Sequence, residues 1–456
     1  MCTSWKRKDY IFDYCIHNLA GTSRNSGIYE VWTELGAFDG TDIIHHDEFV
    51  RIENLSGELL HWYTDLNRLE NHLKQIAPED SLVIGQLIAA SRKLAGADLP
   101  AMSVGGFSRT LKAFTRLPTI NRWSKITIGE LARQLKNPFL KRAFLHIMYD
   151  MPGELVPVMA LLLFMAGFTR GDFGWPASGS LSFSQRIEKK LKAAGGSIHY
   201  KTRVKKIIVE NNRAVGILLD DGTEYRADRV ISAADGYNTI FGMLEGRYVT
   251  EPIKKYYAGA GDSSPFGLIV FLGVKKEYTD MPHALTLLMD ESFDLGAIVQ
   301  DSLHVVTYGQ ETGLVSPGKS IIKIEAQASY SYWRKWLDND KEAYQAEKER
   351  LGQKIIGLVT PRFPGIRDEI EVIDISTPLT SERYTGNRFG WQAGPPKENV
   401  TEIQRKGLSK TLPGLDNFHH VGQWATAALG VSNVAITGRN LVRELCKEDG
   451  KRFVTE

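Results

Sequence analysis

The sequence predicts a two-domain α/β protein, and three observations carry that prediction. With 456 residues the chain exceeds one ordinary domain. Residues 179–235 read without interruption as an amphipathic helix, a short strand, a three-stranded meander and a small, apolar strand of the buried parallel kind. Residues 415–456 then read as a strand, a glycine-containing turn and a final helix.

Composition narrows the class. Apolar residues make up 43% and aromatic residues 10%, enough for a large core, and a formal net charge of +2 gives no global field that would favour nucleic acid. The three cysteines, Cys2, Cys15 and Cys446, lie far apart without CxxC spacing. That pattern fits a reducing compartment and speaks against a zinc site or a disulfide framework. The N-terminal Met-Cys-Thr-Ser-Trp-Lys-Arg-Lys has no apolar core of a signal peptide, so a cytoplasmic protein is expected.

Along the chain, Tyr29–Leu35 and Leu66–Ile76 have helical spacing, the second with Leu66, Leu69 and Leu73 on one face. Pro78-Glu-Asp-Ser81 is a helix start leading into Leu82–Leu94. His45, His46 and His61 invite a metal reading, but no carboxylate or histidine falls at i+4 on a common helix face, so ordinary histidines are expected. Residues 103–142 are basic, with Arg109, Lys112, Arg116, Arg122, Lys125 and further cations against the single acid Glu130. Phe107, Phe114, Leu117, Trp123 and Phe139 are interleaved with those charges. Two readings stay open there: a membrane-surface patch, in which cations meet anionic lipid and rings enter the headgroups, or a solvated helical face over core aromatics. Leu155–Phe168 is apolar all round, too short to span a bilayer and interrupted by a proline. It is expected to be a buried helix or an interfacial one lining an apolar channel.

In the central stretch, Ser182 with Gln185 fits a capping box, Phe183, Ile187, Leu191 and Ala194 recur at helical spacing, and Gly195-Gly196 supplies the stop. Ser197–Tyr200 is a short strand. Arg203–Glu210, Ala214–Leu219 and Glu224–Ala227 form the meander, joined by Asn211-Asn212 and Asp221-Gly222 turns, and Arg229–Asp235 is the closing strand. Downstream, Phe266–Gly273, His304–Tyr308 and Ile321–Ala328 have strand composition and predict an antiparallel sheet. Lys341–Val359 is an amphipathic helix ended by Phe363-Pro-Gly-Ile366, and Glu369–Ile375 is a strand.

The order of helix, strand, meander and buried strand resembles the second half of a flavin-binding dinucleotide fold. Ser178-Gly-Ser, Gly195-Gly-Ser-Ile-His-Tyr200, Val204-Lys-Lys-Ile207, Asp221-Gly222 and Ala227-Asp-Arg-Val-Ile-Ser-Ala-Ala-Asp235 are together similar to the phytoene desaturase branch of the FAD-dependent amine oxidase superfamily. That branch includes carotenoid desaturases, carotenoid isomerases and retinol saturases. Thr377-Pro-Leu-Thr380 with Tyr384-Thr-Gly386 resembles the family's segment near the flavin, and Phe418-His-His-Val-Gly422-Gln423-Trp424 with Gly430-Val431 resembles its closing motif. At the start, Cys2-Thr3-Ser4 and Tyr10-Ile-Phe-Asp13 resemble the segment that follows the family's first βαβ unit. The G-x-G-x-x-G fingerprint of that unit is not in the chain, and Gly259-Ala-Gly261 does not complete one. The resemblance therefore implies a missing unit of roughly 30 residues or more before Met1: either Met1 is a mis-assigned start or an internal methionine of a longer protein, the preferred reading, or the chain is a truncated product. The chain also departs from the family at Ala425–Leu429, where a Pro-Gly-Gly run is usual, which puts close backbone contact there in doubt.

What the resemblance implies is an FAD/NAD(P)-binding Rossmann-like domain, N-terminally truncated, from residues 1–20, 170–245 and 415–456. An interleaved α+β substrate domain with an antiparallel sheet and helices would take residues 21–169 and 246–414. FAD is the implied cofactor, with Thr3, Ser4, Val204, Ala233, Gly422, Gln423, Gly430 and Val431 around it and no metal. Val204 would hold the adenine through its backbone, and Gly430 with Val431 would open a helix whose N-terminus stabilises the negative charge of reduced flavin. The implied activity is desaturation, saturation or isomerisation of double bonds in a polyene or similar isoprenoid by hydride transfer. The implied partners are an apolar small molecule and, on the first reading of the basic region, a membrane surface. Because the cofactor carries the reaction, no nucleophile or acid–base pair stands out. His17, Arg383 and Tyr384 are candidates by position alone, and a core or capping role is the simpler reading of each. Two rivals stay open: the same fold acting on an amine or a porphyrin-like substrate, and a cofactor-free peripheral membrane or lipid-binding protein.

Overall fold

A seven-stranded mixed sheet forms the centre of the first of two compact units into which the chain divides, Met1–Ile187 with Pro265–Ala328 and Lys335–Ser376. The second unit is Glu188–Ser264 with Ser329–Arg334 and Thr377–Glu456. The computed structural model describes residues 3–96, 115–148, 153–258, 263–391, 403, 407–426 and 430–455. In chain order the strands are β1 (Ser4–Arg7), β2 (Tyr10–Asp13), β3 (Leu19–Ala20), β4 (Ile43–Ile44), β5 (Glu48–Asn54), β6 (Leu59–Tyr63), β7 (Phe173–Pro176), β8 (Val204–Glu210) and β9 (Arg213–Leu219). They continue with β10 (Glu224–Arg226), β11 (Val230–Ser232), β12 (Ser263–Val274), β13 (Ala284–Asp294), β14 (Val299–Tyr308), β15 (Ser320–Ser329), β16 (Ile370–Ser376) and β17 (Phe418–His420).

In the first unit the sheet order is β16-β12-β15-β14-β13-β5-β6, with β5 parallel to β13 and the pairs β5/β6, β13/β14, β14/β15 and β12/β16 antiparallel. Leu268, Ile269, Val270, Phe271 and Leu272 of β12 are all fully buried, as a continuous apolar strand covered on both faces requires. One end of the sheet packs on helices Leu66–Ile76, Ser81–Ala95, Ile128–Gln134, Pro138–Leu145 and Val158–Thr169 through a single core that includes Val50, Ile52, Leu60 and Trp62. Leu66, Leu69 and Leu73 are the buried face of the first helix, and Asp65 caps it by accepting from the Asn67 and Arg68 amides. Val158–Thr169 is a core helix, with Val158, Leu161, Leu162 and Met165 inside. Trp123 and Phe139 of the basic region enter the same core, whereas Phe107 and Phe114 lie outside the described residues. Among the described residues no helix is long and apolar enough to cross a membrane.

The second unit holds the meander β8-β9-β10 and the parallel pair β11/β17, in which Val230, Ile231 and Ser232 face Phe418, His419 and His420. The Asn211-Asn212 turn between β8 and β9 places both residues at positive φ, 48° and 60°, the geometry a two-residue hairpin demands and asparagine tolerates. Its core joins Ile207 and Ala214 of the meander to Val230, Tyr257, Trp391, Phe418 and Trp424. After β11, Asp235 caps the helical turn at Asn238–Met243 by accepting from the Asn238 amide at 2.8 Å, while its other carboxylate oxygen is buried with no well-aligned hydrogen bond among the described residues. Burial, opposed only in part by the Asn238 and Arg388 amides, pushes this carboxyl up to about 6.

The structure differs from the sequence-based expectations in three places. Ser197–Tyr200 is irregular rather than a strand, with Tyr200 exposed and no ladder partner among the described residues. The helix expected from Ser180 begins at Gly179, and Ser182 lies inside it, bonded to Arg186, rather than at its cap. The amide and hydroxyl of Ser180 are instead taken by Asp13 from β2, at 2.5 and 2.7 Å. Strands β5, β6 and β13 complete a sheet for which only three strands and β16 are legible in composition.

Because the folded Asp235 holds its proton to higher pH than an unfolded aspartate, this group weakens the fold as pH rises from about 4 through about 6. Asp235→Asn, which keeps the capping oxygen, is expected to remove that loss. Urea denaturation should find the variant more stable than wild type at pH 7, by up to roughly 3 kcal/mol, with the difference vanishing near pH 4. An equal difference at both pH values would rule out the buried, unpaired carboxylate as its source.

Candidate functional site

In an open α/β sheet, ligands bind in the crevice beyond the carboxyl ends of parallel strands. In the second unit those ends are Ala233, which follows β11, and Val421-Gly422, which follow β17. The Val421 amide donates to Ser232 O at 2.9 Å, locking the two ends together. Gly422 has φ 87° and ψ −158°, a conformation closed to side-chain-bearing residues, and its amide donates to Thr437 Oγ1 at 3.0 Å. A Cβ on Gly422 would lie 3.8 Å from Ala233 O and 3.9 Å from Val434 Cγ1, so Ala233, Gly422 and the first turn of the C-terminal helix converge on one spot.

That helix, Val431–Glu448, has 18 residues and starts on Gly430 at φ 98°, with no side-chain cap. Among the described residues a Cβ on Gly430 would meet nothing within 4 Å, so the glycine is there for its backbone angle. The N-terminus of a long helix next to small residues is suited to partial negative charge. Gln423 opens the short turn between strand and helix, in which the Ala425 amide donates to Gly422 O at 3.1 Å. Val204 begins β8 opposite Leu219, and a register shift before Lys206 leaves the intervening residue outside the ladder. These features fit a flavin dinucleotide: a glycine cradle, an uncapped helix N-terminus and an irregular strand start. Thus Val204, Ala233, Gly422, Gln423, Gly430 and Val431 share one unit. Thr3 and Ser4 belong to the other, where Ser4 pairs with Asp13 and Thr3 O accepts from the Tyr14 amide at 3.2 Å. Of the usual Pro-Gly-Gly position, 427–429 lie outside the described residues, as does the Gly259–Gly261 stretch.

Of the positional candidates, Tyr384 is exposed with Arg383 over its ring, at the surface end of a helix. His17 is different. In the first unit its Nε2 lies 3.1 Å from Glu325 Oε2 and 3.2 Å from Lys323 Nζ, and the Lys323 ammonium lies 2.7 Å from Glu325 Oε1 and 3.0 Å from Tyr14 O. His304 Nε2 is 3.8 Å from Glu325. Burial alone would raise the Glu325 carboxyl, but the charges of His17 and Lys323 hold it well below the usual carboxylate range. Burial also lowers His304 to about 3, so its imidazole is neutral. The donor atoms of His17, His304 and Glu325 lie within 4.8 Å of one another, a spread a metal ion would accept, but the Lys323 ammonium already stands among them as the resident cation. His46 stacks on His283 with ring centres 4.1 Å apart, and His61 bonds Glu48 at 2.9 Å. A cavity of about 200 Å³ beside His46, Thr64, Phe168 and Phe173 is below the roughly 300–1,000 Å³ usual for organic ligands and does not accommodate a dinucleotide.

Residues 2–259 match the flavin containing amine oxidoreductase family. The chloroplastic prolycopene isomerase of Daucus carota is 28% identical over 276 residues, which cover 59% of this chain and 43% of the carrot protein. The all-trans-retinol 13,14-reductase of Danio rerio is 22% identical over 452 residues, covering 87% of this chain and 72% of the fish protein. The chain thus spans less than half the length of the carrot relative. Among solved structures, an oxidoreductase from Methanosarcina mazei superposes with a TM-score of 0.62 at 16% identity, covering 97% of this chain and 90% of that one, which shows a common fold. With more than half of its residues inside the family match, and with a mixed α/β fold shared with oxidoreductases of known structure, the chain belongs to the flavin containing amine oxidoreductase family, whose cofactor is FAD.

Proposed function

We propose that the chain belongs to an FAD-dependent oxidoreductase that saturates, desaturates or isomerises double bonds of a polyene or similar apolar isoprenoid. The observation that carries this reading is the pair of relatives, an isomerase of prolycopene and a reductase of all-trans-retinol, both named for conjugated isoprenoid substrates. FAD would supply hydride transfer. Ala233, Gly422 and Gln423 would lie against it, with Gly430 and Val431 presenting the helix N-terminus and the Val204 backbone at its adenine end. The substrate is drawn from lipid on this reading, with Arg116, Arg122 and Lys125 as cations for an anionic membrane surface.

Gly422→Ala is expected to weaken FAD binding about ten-fold, because forcing a side-chain-bearing residue to positive φ costs roughly 1–2 kcal/mol and displaces the backbone from the crevice. Equilibrium titration with FAD, with circular dichroism as the control for folding, checks it. Turnover distinguishes the substrate classes. FAD-loaded protein incubated with cis-polyenes and with retinoids should change the polyene products separated by chromatography, while simple diamines stay unchanged. Oxidation of the diamine with the polyenes untouched would sink the proposal in favour of an amine oxidase.

A further inference from the structure

Two helices of the first unit carry a face that the core does not use. The helix Ser81–Ala95 buries Ile84, Leu87, Ile88, Ser91 and Leu94. Leu82, Gln86, Ala89 and Lys93 run along its opposite side at spacings of four, three and four residues, and all are exposed. The helix Leu117–Trp123 sends Trp123 into the core and leaves Leu117, Pro118, Asn121 and Arg122 outside.

The two helices lie side by side and antiparallel. Arg122 Nη2 donates to Gln86 Oε1 at 2.9 Å, and Arg116 Nε donates to Lys93 O at 3.3 Å. Later residues of one helix therefore meet earlier residues of the other, so Lys125 falls towards Leu82 and Leu117 towards Lys93. Each end of the face thus combines a leucine with a lysine, and the eleven residues from Leu82 to Lys93 separate the ends by about 16 Å.

Leu82 is 75% exposed and Leu117 49%. Single exposed leucines are common on proteins and carry nothing alone. What distinguishes this face is its charge. Residues 81–96 and 115–129 contain Arg92, Lys93, Arg116, Arg122 and Lys125 and no aspartate or glutamate. Arg92 is neutralised by Glu70 at 2.8 Å, whereas Lys93, Arg122 and Lys125 have no ion-pair partner among the described residues. Glu79 borders the face before Leu82, and Asp80 is buried, where it accepts from the Lys136 and Asn137 amides. Unpaired cations beside exposed leucines suit a surface that is negative outside and apolar beneath, which is the arrangement of an anionic lipid leaflet. An acidic protein or a free polyanion would satisfy the cations and leave the leucines in water.

We propose that the face formed by Ser81–Ala95 and Leu117–Trp123 docks on a bilayer containing anionic phospholipid. Leu82 and Leu117 enter the boundary of the acyl chains, Lys93, Arg122 and Lys125 stand at the headgroups, and Arg116 holds the helices in register beside them. Lysine and arginine stems are long enough to keep their charge at the headgroups while the leucines sink below. The inference rests on the polyene reading for its purpose, since a membrane is there the source of the apolar substrate, and it names the surface that reaches that source. The docking itself needs neither flavin nor turnover.

The test is co-sedimentation of the full chain with vesicles of phosphatidylcholine alone and of phosphatidylcholine with phosphatidylserine. Phosphatidylserine is expected to tighten binding at least about ten-fold, and Lys93→Gln and Lys125→Gln each to weaken it about five-fold on those vesicles and not on phosphatidylcholine alone. Added salt should weaken wild type more steeply than the variant carrying both lysine substitutions. Leu82→Ser combined with Leu117→Ser should weaken binding to both kinds of vesicle by about ten-fold or more. All four positions are exposed, and circular dichroism checks that the variants are folded. Wild type that sediments with neither vesicle, or binding that ignores the lysine or the leucine substitutions, overturns the inference. Polyglutamate bound as tightly as the vesicles, by wild type and the leucine double variant alike, would overturn it in favour of an acidic partner. FAD-loaded protein that docks as expected yet leaves polyenes in the same vesicles unchanged contradicts the polyene reading alone, while the lysine and leucine variants still decide the docking.

Discussion

A charge removed from water must be paired or be neutralised, and in the first unit this constraint falls on residues 13–17. Asp13 is fully buried and accepts from the Ser180 amide and hydroxyl and from the Cys15 amide at 3.3 Å. Burial drives its carboxyl up and these bonds pull it back. Tyr14 lends its carbonyl to Lys323, the Ile16 amide donates to Ser180 Oγ at 3.1 Å, and His17 reaches Glu325. One short segment is thereby fastened to the start of the Gly179–Ala193 helix and to a central strand of the sheet. An apolar residue at Asp13 would leave the helix start uncapped inside the core, and one at Lys323 would leave Glu325 with a single balancing group.

In the second unit the governing constraint is backbone conformation. Gly422, which opens the short turn after the parallel strand, and Gly430, which starts the C-terminal helix, hold angles that a side chain would forbid. The convergence of Ala233, Gly422 and Val434 follows from that turn rather than from side-chain chemistry. A crevice built from backbone suits the proposed cofactor, which brings its own reactivity.

Local signals were legible in the sequence, and non-local ones were not. The meander turns are fixed by Asn211-Asn212 and Asp221-Gly222, and the helices Leu66–Ile76 and Lys341–Val359 by their own spacing and caps, Asp65 and Asp340. By contrast β13 mixes a core half, Ala284–Met289, with the acidic Asp290-Glu291, and it pairs in parallel with β5 across more than two hundred residues. Ser197–Tyr200 has strand composition but nothing to pair with among the described residues. Lys323 and Glu325 show how composition hides a site: polar residues at i and i+2 inside the apolar run Ile321–Ala328 mark one face of a strand, and their partner His304 comes from a register no sequence displays. Glycines after a strand, such as Gly422 and Gly430, are visible as motifs because the backbone angle itself restricts the residue.

The account rests on the cofactor. The visible absorption spectrum of the purified chain, taken after addition of FAD and gel filtration, tests it most directly. The account predicts that a flavin band elutes with the protein and weakens in Gly422→Ala. A folded protein that elutes colourless, with all the FAD in the small-molecule fraction, would contradict the assignment of Val204, Ala233, Gly422, Gln423, Gly430 and Val431 to a flavin site.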